Sequence, residues 1–202
     1  MEGVSGFLTP SQRCPVSREN VLYVVAEADF LSGADLQRQP GDVFYTTAKY
    51  RTLPTLSEFI QSLRNNARKS GPIHLLSFQC HGFRGGLVLW RGGQPAGRLD
   101  LNGNNVGQMR AFRDCMAPGG RVELHSCNTG SAFGATMSAR GGRPDGSTAA
   151  LTNASSWGQR FMQGLADALE CRVTAAVRTQ PGRAAIEFVG PVVTFEPALC
   201  SE

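Results

Sequence analysis

Two short hydrophobic runs in this chain each end in a side chain able to act on a carbonyl group. The first, Ile73-His74-Leu75-Leu76-Ser77-Phe78-Gln79-Cys80-His81-Gly82, delivers an imidazole just before a glycine. The second, Val122-Glu123-Leu124-His125-Ser126-Cys127-Asn128-Thr129-Gly130, delivers a thiol at Cys127, 46 positions after His81 (127 minus 81). The thiolate is the nucleophilic form of cysteine, and an imidazole held nearby raises its population. His81 and Cys127 are therefore the candidate catalytic dyad. Cleaving an amide also needs a proton for the leaving amine and hydrogen-bond donors for the developing oxyanion. Gly82 has no Cβ to keep a carbonyl at a distance, so its N–H and that of Cys127 are the expected oxyanion donors. Asn128, Thr129 and Gly130 are expected to turn the chain sharply after the nucleophile. His125 stands two positions before Cys127 and is expected on the same strand face. With Ser126 and Asn128 it makes up the candidate support around the dyad.

Both residues must be carried to one edge of the protein, and the flanking pattern suits that task. Residues 21–26 form a continuous β-branched and aromatic run typical of a strand buried in a parallel sheet. A polar connection leads to a second extended piece at 43–47. After Pro54 a helix is expected over 56–70, with Leu56, Phe59, Ile60 and Leu63 on one face. Arg64, Arg68 and Lys69 lie towards its carboxyl end, where cations suit the helix dipole. The histidine strand follows, then a short hairpin at 87–90 turning at Arg91-Gly92-Gly93, a polar stretch, and a helix at 106–116 closed by Pro118-Gly119-Gly120. Beyond the cysteine strand, residues 130–152 are rich in small residues and read as a mobile loop. A last helix is expected to turn Trp157, Phe161, Leu165 and Leu169 towards the core, followed by strands at 173–177 and 185–189, the latter continued at 192–195. Alternating strands and helices predict a layered α/β domain with a mostly parallel sheet. Ligands in such sheets gather beyond the carboxyl ends of the strands, where His81 and Cys127 both fall.

The order of a strand ending in His-Gly, a helix, and a strand ending in a cysteine within a small-residue turn resembles the caspase-like clan of cysteine peptidases. That clan includes metacaspases, gingipains, clostripain and the autoprocessing protease domains of large bacterial toxins. The carrying residues are Phe78-Gln79-Cys80-His81-Gly82 and Leu124-His125-Ser126-Cys127-Asn128-Thr129-Gly130, and Trp157 through Ala176 is similar to the helix and strand after the nucleophile in bacterial members. The resemblance implies a caspase-like three-layer sandwich with a mostly parallel central sheet flanked by helices, and a cysteine endopeptidase with a His81–Cys127 dyad. It also implies that the two side chains stand slightly apart, so that His81 need not create the thiolate. No metal or organic cofactor is implied. The implied partners are a protein or peptide substrate and an inhibitor or immunity protein, in a bacterial effector, a toxin or a regulated protease. The competing expectations are an inactive member of the fold that binds a peptide, and an amide hydrolase acting on a cell-wall peptide.

Bulk properties narrow these classes. A 202-residue chain, 41% hydrophobic, has room for one sizeable core, so residues 20–202 are expected to form a single domain after a loosely ordered lead-in at 1–19. The net charge is +4, but the arginines are scattered and the only lysines are Lys49 and Lys69, so nucleic-acid binding is not expected. No apolar run approaches the roughly 20 residues that span a bilayer, so no membrane partner is expected. The amino terminus has neither a basic segment nor an apolar one of the kind that directs export, which makes a cytoplasmic location, or secretion by a signal-independent route, the expectation. None of the six cysteines forms the close pairs of a structural zinc site. A metal held by Cys80, His81, His125 and Cys127 is disfavoured because adjacent strand residues point to opposite faces. His74 and His125, inside their strands, are expected to be structural.

Overall fold

The computed structural model describes residues 19–26, 42–83, 85–91, 97–126, 129, 157–176, 188 and 192–198. Nine strands are described: β1 Val21–Val25, β2 Val43–Thr46, β3 Ile73–Gln79, β4 His81–Phe83, β5 Gly86–Arg91, β6 Arg98–Asn102, β7 Met116–His125, β8 Arg172–Ala176 and β9 Val192–Phe195. The helices are α1 Leu56–Ala67, a 3₁₀ helix Val106–Cys115 and α2 Trp157–Leu169, with a single 3₁₀ turn at Thr47–Lys49. The main sheet runs β2-β1-β3-β7-β8-β9 and the smaller one β4-β5-β6. All neighbours in the main sheet are parallel except β8 and β9, and the small sheet is antiparallel.

Local chemistry explains the boundaries of α1. Thr55 accepts a hydrogen bond from the Glu58 N–H, and Glu58 accepts one from the Thr55 N–H, so two otherwise orphaned donors at the helix start are satisfied reciprocally. Leu56, Phe59, Ile60, Leu63 and Ala67 are then buried along one face. One core cluster joins that face to Met109 and Phe112 of the 3₁₀ helix, to Phe161, Leu165 and Leu169 of α2, and to Leu22, Val24, Leu76, Phe78, Val122, Leu124, Val173 and Ala175 of the sheet. Among the described residues, all three helices thus pack on one face of the sheet.

Four sequence expectations are corrected. A helix does form at 106–115, of the 3₁₀ type, but Pro118-Gly119-Gly120 does not close it and lies inside β7. There the register slips from Ile73 against Met116 to Leu75 against Arg121, which makes a bulge. Gly119 takes a positive φ of 71°, and a Cβ on Gly120 would stand 2.9 Å from the Ala117 carbonyl oxygen. The stretch read as merely polar contains β6, whose Leu99 and Leu101 are buried while Arg98, Asp100 and Asn102 alternate outward. Trp157 does not face the core: it is 56% exposed. A spacing of four residues drifts around a helix of 3.6 residues per turn, so Trp157 lies about 80° from Leu165. Finally, Phe188 is not in a strand, although Val192–Phe195 forms one as expected. The other residues of 185–189, residues 1–18 and the expected loop at 130–152 lie outside the described residues.

Candidate active site

β3 and β7 are adjacent and parallel, and their last residues, Gln79 and His125, are partners in register. The chain therefore leaves both strands at the same edge and the same level. The strand order reverses between β1 and β3, so the topological switch point lies one strand away from the β3–β7 pair. Among the described residues, no helix is long and apolar enough to cross a membrane.

After β3 the two candidate residues part company. Cys80 is buried in the core cluster on the helix side of the sheet. His81 is exposed and opens β4, where it pairs with Val88; Gly82 pairs with Leu87 and Phe83 with Gly86. The imidazole is thus carried on the small antiparallel sheet and not on an extension of β3. Gly85 shapes this hairpin with a positive φ of 78°, and a Cβ there would lie 2.8 Å from the backbone of Trp157 at the start of α2. Only glycine meets both demands.

Beyond β7, Ser126 and Thr129 are both buried, and their hydroxyl oxygens are 2.6 Å apart. Thr129 Oγ1 also donates to the Gly86 carbonyl at 3.5 Å, the long limit of a hydrogen bond. Thr129 therefore stands against the hairpin that carries His81. Cys127 and Asn128 lie outside the described residues.

His125 is on the opposite side of the sheet from the core cluster. Its ring, 4% exposed as a residue, stacks on Phe188 with centroids 4.1 Å apart and an interplanar angle of 3°. Nε2 pairs with Glu123 Oε2 at 3.0 Å, and the buried Nδ1 has no hydrogen-bond partner among the described residues. Burial pushes the Glu123 carboxyl upward. The hydrogen bond and charge of His125, together with Arg121, outweigh that effect and hold it below the usual carboxylate value. Arg121 continues the chain of charges, 3.4 Å from Glu123 and 2.8 Å from Glu19. Beside this row on β3, Gln79 donates to Ser77 Oγ at 2.9 Å. His74 is structural in the expected way, accepting the Asn20 N–H at Nδ1.

Sequence reasoning missed Glu123 and Phe188. The first was legible, since residues two apart on a strand share a face and a carboxylate beside an imidazole is a ready partner. Phe188 arrives from a distant part of the chain, and no local pattern announces it. The described thiols, Cys80, Cys115 and Cys171, are all buried, which limits the access of a substrate or reagent to them. Burial, then the charge of Glu170, pushes the Cys171 thiol up to about 11. The four-residue metal set is divided by the sheet, with Cys80 on the helix side and His125 on the other. No cluster of three or more histidine, cysteine or acidic residues suited to a metal occurs among the described residues.

Compared with known proteins, the chain matches no family model, no curated protein and no solved structure.

Proposed function

We propose that this protein is a caspase-like cysteine endopeptidase, with Cys127 as nucleophile and His81 as the acid that protonates the leaving amine. The observation that carries this reading is the pairing of Gln79 with His125 at the ends of adjacent parallel strands, because the histidine and cysteine segments set out from these two residues. The contact between Thr129 and Gly86 adds to it, since Thr129, two residues past the cysteine in sequence, meets the histidine hairpin.

In this mechanism the Cys127 thiolate adds to the scissile carbonyl carbon, and the N–H groups of Gly82 and Cys127 take up the negative charge on oxygen. The carbon–nitrogen bond breaks as His81 gives a proton to the amine. A thioester remains on Cys127, and water hydrolyses it, returning a proton to His81 and releasing the carboxylate. The burial of Cys80, Cys115 and Cys171 favours selectivity, since reactive thiols need access as well as a raised thiolate fraction. The substrate class is a protein or peptide, as expected of an effector, a toxin or a regulated protease.

Activity-based labelling with an acyloxymethyl-ketone peptide library at neutral pH tests the reading. The wild type is expected to carry the adduct at Cys127, and Cys127→Ala and His81→Ala are expected to lose labelling. An unlabelled Cys127, with other thiols reacting equally in all three proteins, would replace the peptidase by a binding module of the same fold. Turnover of cell-wall peptides with none of protein substrates would make it an amide hydrolase instead.

A further inference from the structure

The small sheet displays its polar side chains on the face from which His81 projects. Cross-strand partners share a face of a sheet, as do residues two apart on one strand. His81 pairs with Val88 and Val88 with Asp100, while Phe83 pairs with Gly86 and Gly86 with Asn102. These six residues therefore form two neighbouring rows on one face, and Leu87 and Leu101, on the other face, join the core. Arg98 lies two residues before Asp100 on β6, so the His81 row separates it from the Phe83 row.

The Arg98 side chain crosses that row. Its Nε donates to Asp100 Oδ2 at 2.8 Å, and its guanidinium carbon stands 5.3 Å from the centre of the Phe83 ring. The ring stays in its own row, since a Cβ on Gly86 would fall 2.4 Å from it. The guanidinium is thus held over β5, the strand paired with His81, between a carboxylate and an aromatic ring. One of its five N–H groups is taken by Asp100, and the four on the two Nη atoms have no acceptor among the described residues. The Arg98 side chain is more than half exposed, whereas Asp100 Oδ1 is buried and has no hydrogen-bond partner among the described residues. Burying a carboxylate oxygen in this way is unfavourable. Its effect here is an arginine whose orientation is fixed before any ligand arrives.

We infer that Arg98 is a specificity-determining residue: it binds the carboxylate of a substrate aspartate or glutamate close to the scissile bond, on the side of the leaving amine. A carboxylate accepts two parallel N–H bonds from a guanidinium, where the corresponding amide offers one neutral oxygen. Because Asp100 and Phe83 already hold the side chain, little of its freedom is lost on binding. The side of the leaving amine follows from His81, which gives its proton to that amine and projects from the face that Arg98 crosses. The inference rests on the peptidase reading.

The test uses internally quenched peptides built on the sequence selected by the labelling library, with Glu or Gln at each of the first three positions after the scissile bond. Wild type is expected to cleave the Glu peptide at one of these positions with kcat/KM roughly 10- to 100-fold above that of its Gln counterpart. In Arg98→Gln that ratio is expected to fall to within about twofold of one. Arg98→Lys keeps the charge without the fork of donors and is expected to retain only part of the preference. Asp100→Ala, which releases the guanidinium, is expected to lower it in part as well. Thermal unfolding of each variant identifies any that fail to fold. Should Arg98→Gln be one of these, Arg98→Met, which keeps an apolar stem beside Phe83, takes its place. Equal cleavage of the Glu and Gln peptides by wild type at all three positions overturns the inference while leaving the peptidase intact. A Glu preference that persists in the folded Arg98→Gln or Arg98→Met protein does the same. Absence of Cys127 labelling and of cleavage in the wild type overturns the peptidase reading itself, and this inference with it.

Discussion

The two faces of the six-stranded sheet are built on opposite principles. On the helix side Leu22, Val24, Leu76, Phe78, Val122, Leu124, Val173 and Ala175 join a continuous apolar core. On the other side β1 offers a small cluster, in which Tyr23 stacks on Phe44 at 4.8 Å, but the central strands turn polar. Ser77 and Gln79 of β3 lie in register with Glu123 and His125 of β7, and Thr174 of β8 continues the row. Parallel sheets are commonly apolar on both faces. Here one face supplies stability, and the other carries a partly buried polar row that ends at the edge where the candidate dyad begins. Burying polar groups is unfavourable unless they are paired. Here Gln79 pairs with Ser77 and Glu123 with His125.

Truncating the core face should have the largest effect. Phe78→Ala removes a fully buried ring from the centre of the sheet and is expected to destabilise the fold by about 3–5 kcal/mol in denaturant titrations. A loss as small as that of a surface change would break the contrast between the faces.

The polar face should respond less strongly and in a pH-dependent way. Glu123→Ala leaves a buried imidazole without its partner and is expected to cost about 1–3 kcal/mol near neutral pH. Because the folded state holds the Glu123 carboxyl below its ordinary value of 4.5, its stabilisation is complete above that value and disappears as the pH falls through the lower folded one. Glu123→Gln should accordingly flatten the acid limb of a stability-against-pH curve while sparing Phe78→Ala-type core behaviour. An unchanged acid limb would show that this face is not held by its carboxylate.

The smallest effect should come from the exposed pair Arg172 and Glu196, 2.7 Å apart but with both side chains more than half exposed. Arg172→Ala is expected to stay within about 0.5 kcal/mol of wild type in the same titration. A larger loss would mean that the sheet's outer edge contributes more than its exposure implies.

Much of this architecture was legible because local periodicity and burial agree. The run at β1 and the apolar stripe of α1 each state their own environment, and both form where expected. The failures occur where that agreement lapses. The strand β6 has only two apolar residues and reads as a polar connection unless its alternation is noticed. Trp157 fits the spacing of the α2 stripe, yet its backbone packs against Gly85 and the residue is 56% exposed. Pro118-Gly119-Gly120 has the composition of a helix stop but forms a strand bulge, because the backbone of β7 still finds β3 across the interruption.

The sequence by itself named the candidate residues, because an imidazole and a thiol following hydrophobic strand-like runs are the groups in this pattern suited to acid catalysis and nucleophilic attack. It also determined the alternation in β7 that separates Val122 and Leu124 from Glu123 and His125. Tertiary structure alone decided that β3 and β7 are neighbours, that His81 belongs to a separate antiparallel sheet, and that Thr129 reaches Gly86. Strand order, register and the partners of buried hydroxyls arise from contacts between segments far apart in the chain, where no local propensity acts.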